Sequence, residues 1–499
     1  MYDGPAMGKL TQEIVPILVL IAVIVVVVAR LPRVDVGHTA AFRRRRTLNW
    51  VPLGLTYAFL YMARYNMTAL KTIGGISQRD FGHIDFWGSL VYGLSFLING
   101  PLADRLGGRA TILISAAGAL AANALIGALW LTGAIDKESI AALAVLFTLN
   151  MYFQSFGAVS IVKVNASWFH LRERGTFGGI FGILISLGLY FAFDWGKMIA
   201  SVTCPSCVAH SDNAKLPVPT PEASHGLAWM FLVPAAILAV FWLLSFLFVK
   251  DTPSRAGLAD FDVEDASSGQ VETREPAARV IARMLKNPVI LTIAIIELCS
   301  GFLRQGILKW SGDFAKGVGA GASYVYAHWG MVSCIAGMTG GMFAGVISDH
   351  VFHSRRPPVS TVLYMIMLIG SVAMIPLLGA PAAVSWIIAF MAMAIIGVHG
   401  MLSGVASQDF GGRLNTGVAV GLIDGFVYIG TAIQDQVYGG VGSVLPEKGT
   451  AAAKDIANWQ AWPIAMVPVA AIGLWLSIRL WNARVVVRKP AAAPVAAAK

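Results

Sequence analysis

Runs of about twenty apolar residues recur along this chain, and they limit its fold more than any other feature. Such a run crosses the roughly 30 Å hydrocarbon core of a bilayer as a helix, which bonds all of its own backbone groups. Candidates lie near 13–30, 48–70, 84–103, 110–132, 140–163, 177–201, 227–249, 288–311, 325–347, 358–379, 385–407, 416–441 and 460–481. That is one leading helix plus two sets of six. The residue balance agrees: 57% hydrophobic and 13% charged, against about 45–50% and about 25% in soluble domains. The formal charge of +10 raises the question of nucleic acid. Its distribution points to membrane topology instead, so no nucleic-acid partner is expected.

Short loops rich in Lys and Arg stay cytosolic. Arg43, Arg44, Arg45 and Arg46, then Arg105 and Arg109, Arg172 and Arg174, Arg355 and Arg356, and Arg484, Arg488 and Lys489 all fall on one side. The C-terminus and central loop are therefore expected inside, the N-terminus outside, in a bacterial inner membrane. The first run lacks a basic leader and a small-residue cleavage site, so it reads as a retained helix rather than a signal peptide. On the outer loop, Cys204 and Cys207 in "TCPSC" suit a disulfide. With His210 they offer only three metal ligands, and no metal or cofactor is expected.

Residues 250–287 are charged, with little apolar periodicity before Val280, and read as a linker between two six-helix halves, 48–249 and 288–482. Residues 1–47 hold the extra helix and a basic segment, and 483–499 form a tail. The halves resemble one another: "GPLADRLGGR" (100–109) and "GVISDHVFHSRR" (345–356) each place Gly four residues before Asp, with basic residues beyond. An internal repeat of this kind suits a transporter with a central pathway. Asp104 is expected to pair with Arg105 or Arg109 and a neighbouring helix end, with Asp349 as its counterpart. These residues gate or brace rather than bind substrate.

Permanent charges inside spans are costly and usually face a cavity or partner. Arg64, in "YMARYNM", lies 16 residues after Leu48, about 24 Å along a helix. Arg304, in "GFLRQGILKW", lies 16 residues after Pro288. One arginine alone could snorkel to the interface. Two at matched depth in equivalent helices point instead to a pair facing the pathway, whose planar forks match phosphate or carboxylate oxygens. Tyr57, Tyr61, Arg64 and Thr68 share about 60° of one helical face. Glu297, two turns before Arg304, is placed to offset part of its charge and is a candidate coupling residue. Asp194 is a second such candidate, unless it merely neutralises Lys197. Lys163 and Asn165 either line the pathway or sit at its cytosolic mouth, and His399 and Asp424 are candidates for the far wall.

"GPLADRLGGR" looks like the signature loop of the major facilitator superfamily. "YMARYNM", "FLRQGILKW" and "KDTPSRAGL" together resemble its organophosphate:phosphate antiporters, the glycerol-3-phosphate and hexose-6-phosphate branch, over roughly residues 45–485. The resemblance implies an all-α major facilitator fold of two six-helix bundles. It also implies that Arg64 and Arg304 bind the substrate phosphoryl group, with Tyr57 and Tyr61 alongside and Lys163 at a position that is often basic. Phe96, Ser167 and Cys334 stand where that branch carries lysine, histidine and glutamate, which leaves the organic part of the substrate open. The expected activity is secondary transport of a phosphorylated small anion, by exchange with inorganic phosphate and alternating access, in a monomer within the lipid bilayer. A proton-coupled symporter of an organic anion is the alternative, and a sensor without transport the third. No Walker-type loop or catalytic cluster points to an enzyme or an ATP-driven pump.

Overall fold

A computed structural model describes residues 37–73, 76–132, 140–170, 173–212, 220–263, 276–352, 356–440, 442–447 and 449–482. The expected helix at 13–30, residues 264–275 of the linker, Arg172, Arg355 and the C-terminal tail lie outside these residues. Among the described residues there are helices and turns but no strand. Twelve long helices follow one another: α1 (Ala40–Ile73), α2 (Gln78–Leu106), α3 (Gly108–Leu131), α4 (Ile140–Trp168), α5 (Arg174–Tyr190) and α6 (Trp229–Phe248). After them come α7 (Pro288–Leu308), α8 (Trp329–Val346), α9 (Arg356–Leu377), α10 (Pro381–His399), α11 (Ser407–Gly439) and α12 (Ala461–Arg479). Among the described residues, nine helices are by length and composition able to cross a membrane, those built on α3 to α7 and α9 to α12.

α1 starts eight residues before Leu48, so the four arginines lie within the helix rather than ahead of it. Its first turns are held by polar contacts that a hydropathy profile does not register. Arg46 Nη1 donates to both carboxylate oxygens of Glu173 at 2.9 and 3.0 Å. Arg45 Nη2 donates to the Phe248 carbonyl at 2.9 Å, satisfying the last turn of α6.

Two antiparallel helix pairs join the first six helices to the last six: α2 with α11, and α5 with α8. The α2–α11 seam is glycine against glycine, which brings the two backbones unusually close. A Cβ on Gly100 would stand 2.5 Å from the Gly417 carbonyl oxygen, and one on Gly93 2.9 Å from that of Gly425. Gly100→Ala is therefore expected to push the pair apart. Its transport rate should fall at least tenfold in vesicles, with a lower midpoint in thermal unfolding, whereas Ala at the open Gly379 should change neither.

"GPLADRLGG" ends α2 and begins α3 through Gly107, whose φ of 88° favours glycine. Asp251, from the "DTP" segment, closes this turn by accepting from the Arg109 backbone N–H at 2.8 Å. α5 continues through a π turn, Phe191–Trp195, into Gly196–Thr203. Beyond it Cys204 and Cys207 are joined as a disulfide, with Cα atoms 5.3 Å apart. The linker holds the short helix Ala277–Leu285 ahead of α7.

Candidate substrate site and its latches

Arg64 stands on α1 between helices of both sets and is 5% exposed. Each nitrogen of its guanidinium has a partner: Nε donates to Gln154 Oε1 of α4 at 2.9 Å, Nη2 to the Tyr92 hydroxyl of α2 at 2.9 Å, and Nη1 to the Tyr428 hydroxyl of α11. The rings of Tyr61 and Tyr92 lie 4.7 and 4.5 Å from its central carbon, within cation–π range. Tyr57, one turn before Tyr61, packs edge-on against it and is equally buried.

Arg304 comes to the same place from α7. Its central carbon is 5.6 Å from the Tyr428 ring centroid, and that of Arg64 is 5.5 Å from the same centroid. The two guanidiniums therefore flank one tyrosine. Arg304 is 2% exposed, yet Nε, Nη1 and Nη2 all lack a protein hydrogen-bond partner. A buried polar group with no partner is expensive, and a guanidinium offers five donors in a fork. Chemically, this is an acceptor-seeking cation in a tyrosine-lined site.

The other candidates divide into two groups. His399, Glu297 and Asp424 all lie within electrostatic reach of Arg304. His399 Nδ1 is 3.2 Å from Glu297 Oε2, Glu297 Oε1 has no partner, and Ser403 donates to Asp424. The expected offset of Arg304 by Glu297 is therefore not a hydrogen bond, because the glutamate turns to the histidine.

Lys163 belongs elsewhere. Its ammonium reaches Asp104 Oδ1 at 2.5 Å, and Asp104 also accepts from the backbone N–H groups of Gly417 and Val418, each at 3.0 Å. This corrects the expected pairing of Asp104: Arg105 is exposed, and Arg109 donates to the Phe246 carbonyl at 2.7 Å. Asp104 thus latches α2 and α4 to α11. Asp194 does the equivalent at the opposite end. From the π turn its carboxylate accepts from the N–H groups of Gly330 and Met331, at 3.1 and 3.0 Å, in the first turn of α8. The expected i, i+3 partnership with Lys197 is replaced by this helix N-terminus, whose free N–H groups favour an anion. Asp349 falls in the π turn Ile347–Val351 after α8, and its side chain is outside what is described. Asn165 donates to the Ile161 carbonyl within its own helix.

Tyr92, Gln154 and Tyr428 escaped the sequence reasoning. Neutral polar residues in a span carry no cost that marks them. The signals were positional: Tyr428 lies one turn beyond Asp424 on α11, and Gln154 sits amid the polar stretch of α4.

Twelve long helices among the described residues, joined by two antiparallel seams with paired cations at their centre, make an architecture of the major facilitator type. The chain belongs to the Major Facilitator Superfamily, whose family model matches residues 53–434. It is a multi-pass membrane transporter, not an enzyme. The chain is similar to the glycerol-3-phosphate transporter of Bacillus subtilis, 24% identical over 469 residues covering 90% of this chain and 95% of the relative. It is also similar to the membrane sensor protein UhpC of Escherichia coli, 23% identical, with 78% of this chain and 84% of the relative covered. Among solved structures, a bacterial homologue of the human lysosomal transporter Spinster, inward-facing and unoccupied, shares the fold. The TM-score is 0.60 and the identity 14%, with 89% of this chain and 98% of that one covered.

Proposed function

We propose that this protein carries a phosphorylated small organic anion across a bacterial inner membrane in exchange for inorganic phosphate, by alternating access between two six-helix halves. The observation that carries this proposal is Arg304: a buried guanidinium with three unpartnered nitrogens, beside a second arginine already held by Gln154, Tyr92 and Tyr428. A phosphoryl group supplies the acceptors that Arg304 lacks, and the tyrosine hydroxyls offer further donors to it. The names of the Bacillus relative and of others, including probable hexose phosphate transport proteins of Chlamydia, support a phosphorylated substrate. In this proposal Arg64, Arg304, Tyr57 and Tyr61 contact substrate, His399 and Asp424 bound its organic part, and Asp104 and Asp194 serve the gates. The halves divide at the linker 250–287, the Arg43–Arg46 end faces the cytosol, and the protein works as a monomer.

Phe96 supports a substrate choice different from the glycerol-3-phosphate branch. Its ring lies 4.9 Å from that of Tyr92 and 6.2 Å from that of Tyr428, so an aromatic wall stands where a cation is expected. Proton-coupled symport remains the second proposal, favoured by the buried Glu297–His399 pair and Asp424 near Arg304.

Counterflow separates the two. Vesicles loaded with phosphate should accumulate one labelled compound from a panel of sugar phosphates, glycerol phosphate, phosphonates and dicarboxylates. Uptake should need internal phosphate and persist with a protonophore. Uptake that collapses with the proton gradient and ignores internal phosphate would replace exchange with symport.

A further inference from the structure

At the end opposite Arg43–Arg46, five charged side chains meet in a buried cluster, four from helices and one from the turn after α7. Lys71 of α1 is 1% exposed, Asp85 of α2 3%, Lys309 just beyond α7 5%, Asp313 of the short helix Ser311–Gly317 1%, and Asp435 of α11 0%. They form two linked pairs. Lys71 Nζ reaches Asp313 Oδ2 at 2.5 Å and the Lys309 carbonyl at 2.8 Å. Lys309 Nζ is shared between two carboxyls: it contacts Asp85 Oδ2 and lies 3.3 and 3.4 Å from the oxygens of Asp435. Ser89 donates to Asp435 at 3.0 Å. Lys71, Asp85 and Ser89 come from the first six helices, Lys309, Asp313 and Asp435 from the last six, so the cluster is a closed gate between them.

Among the described residues its charges do not balance. Three carboxyls face two ammoniums, and Asp313 Oδ1, fully buried, has no hydrogen-bond partner at all. The neighbouring titratable group from α1, Tyr65, is neutral and engaged with Gln305, whose Nε2 donates to its hydroxyl at 2.8 Å. A surplus buried anion is resolved most cheaply by taking up a proton. The Asp85–Asp435 pair is where two carboxyls compete for one ammonium, the arrangement in which one stays protonated.

We propose that this cluster is a proton-binding site, and that the gate at this end closes with one proton held between Asp85 and Asp435. When the gate opens, both carboxyls meet water and ionise as ordinary aspartates do. The closed form therefore binds one proton more than the open form. Its share is favoured by acid and falls as pH rises, by at most tenfold per pH unit for one proton. Proton uptake and release occur on the same face, so the site sets how readily the gate opens without moving a proton across the membrane. This inference needs no assumption about the transported substrate.

The test is a distance measurement without substrate. Nitroxide labels at Thr132→Cys, after α3, and Gly379→Cys, after α9, report the separation of the two sets at this end; both positions are exposed. The native cysteines are buried or disulfide-bonded. Pulsed electron resonance in lipid nanodiscs should show the short-distance population falling between pH 5.5 and pH 8.5. Asp435→Asn, and independently Asp85→Asn, should keep the short-distance population at both pH values, because an amide is uncharged throughout. A pH-independent wild type, or either folded variant retaining the wild-type pH response, would overturn the proposal.

Discussion

Arg304→Lys should reduce phosphate-driven counterflow at least a hundredfold while leaving the protein folded and monodisperse. Lysine keeps the charge, so a site that only needed a positive potential would tolerate it. The geometry asks for more than potential. All three guanidinium nitrogens of Arg304 are buried and unpartnered, a fork presented to a ligand rather than to the protein. An ammonium offers three donors from one point and cannot grip two oxygens of a phosphoryl group in one plane. Because no protein hydrogen bond is lost, thermal unfolding should shift little. Arg64→Lys provides the contrast: it breaks the contacts to Gln154, Tyr92 and Tyr428, so lost transport should come with a lower unfolding midpoint. If Arg304→Lys transports at the wild-type rate, the phosphoryl clamp is wrong.

The second large effect is expected at Asp104. Asp104→Ala removes the counter-charge of Lys163 and the acceptor of two backbone N–H groups on α11 in one step. Deleting one partner of a fully buried ion pair typically costs about 3–5 kcal/mol. This pair is partly buried, its Lys163 and Asp104 side chains 15% and 13% exposed, so the loss should fall below that range. Transport should fall to background and the unfolding midpoint should drop. Lys163→Met alone should be milder, since Asp104 keeps its two N–H donors. The double variant should recover part of the stability lost by Asp104→Ala, because the ammonium that lost its carboxylate is gone. A double variant no more stable than Asp104→Ala would mean that the N–H contacts to α11, not the ion pair, hold this end.

The parts of the fold and site that were legible in the sequence are those that violate membrane chemistry. A span that keeps Arg64 against the cost of burial announces itself, and Arg304 at the same depth announces a pair. The signature between Gly100 and Arg109 likewise fixed the class of fold. What stayed hidden was partnership. Whether Lys163 lined the pathway or sat at its mouth stayed open in the sequence, because its partner, Asp104, is 59 residues away. For Asp194 a coupling role and neutralisation by Lys197 both stood open, because a helix N-terminus arriving from 136 residues further on leaves no local trace. The start of α1 was set too late for the same reason: Arg45 and Arg46 read as flanking charges until the Phe248 carbonyl and Glu173 are brought to them. Tyr92 and Tyr428 are ordinary residues until folding puts both on one guanidinium.

The seam of α2 against α11 has a kinetic consequence. Where two helices meet through backbone, there are few side-chain rotamers to rearrange when one rolls on the other, and little apolar surface to expose. Such a contact behaves as a bearing: it resists separation but not rotation. The barrier to rocking then resides in the Tyr92–Tyr428 ring contact at its middle and in the polar contacts at its two ends, Asp104 with Gly417 and Val418, and Asp85 and Ser89 with Lys309 and Asp435. A carrier built this way has its speed written in a handful of ionisable groups, which a cell's surroundings can reach, rather than in the packing of its core.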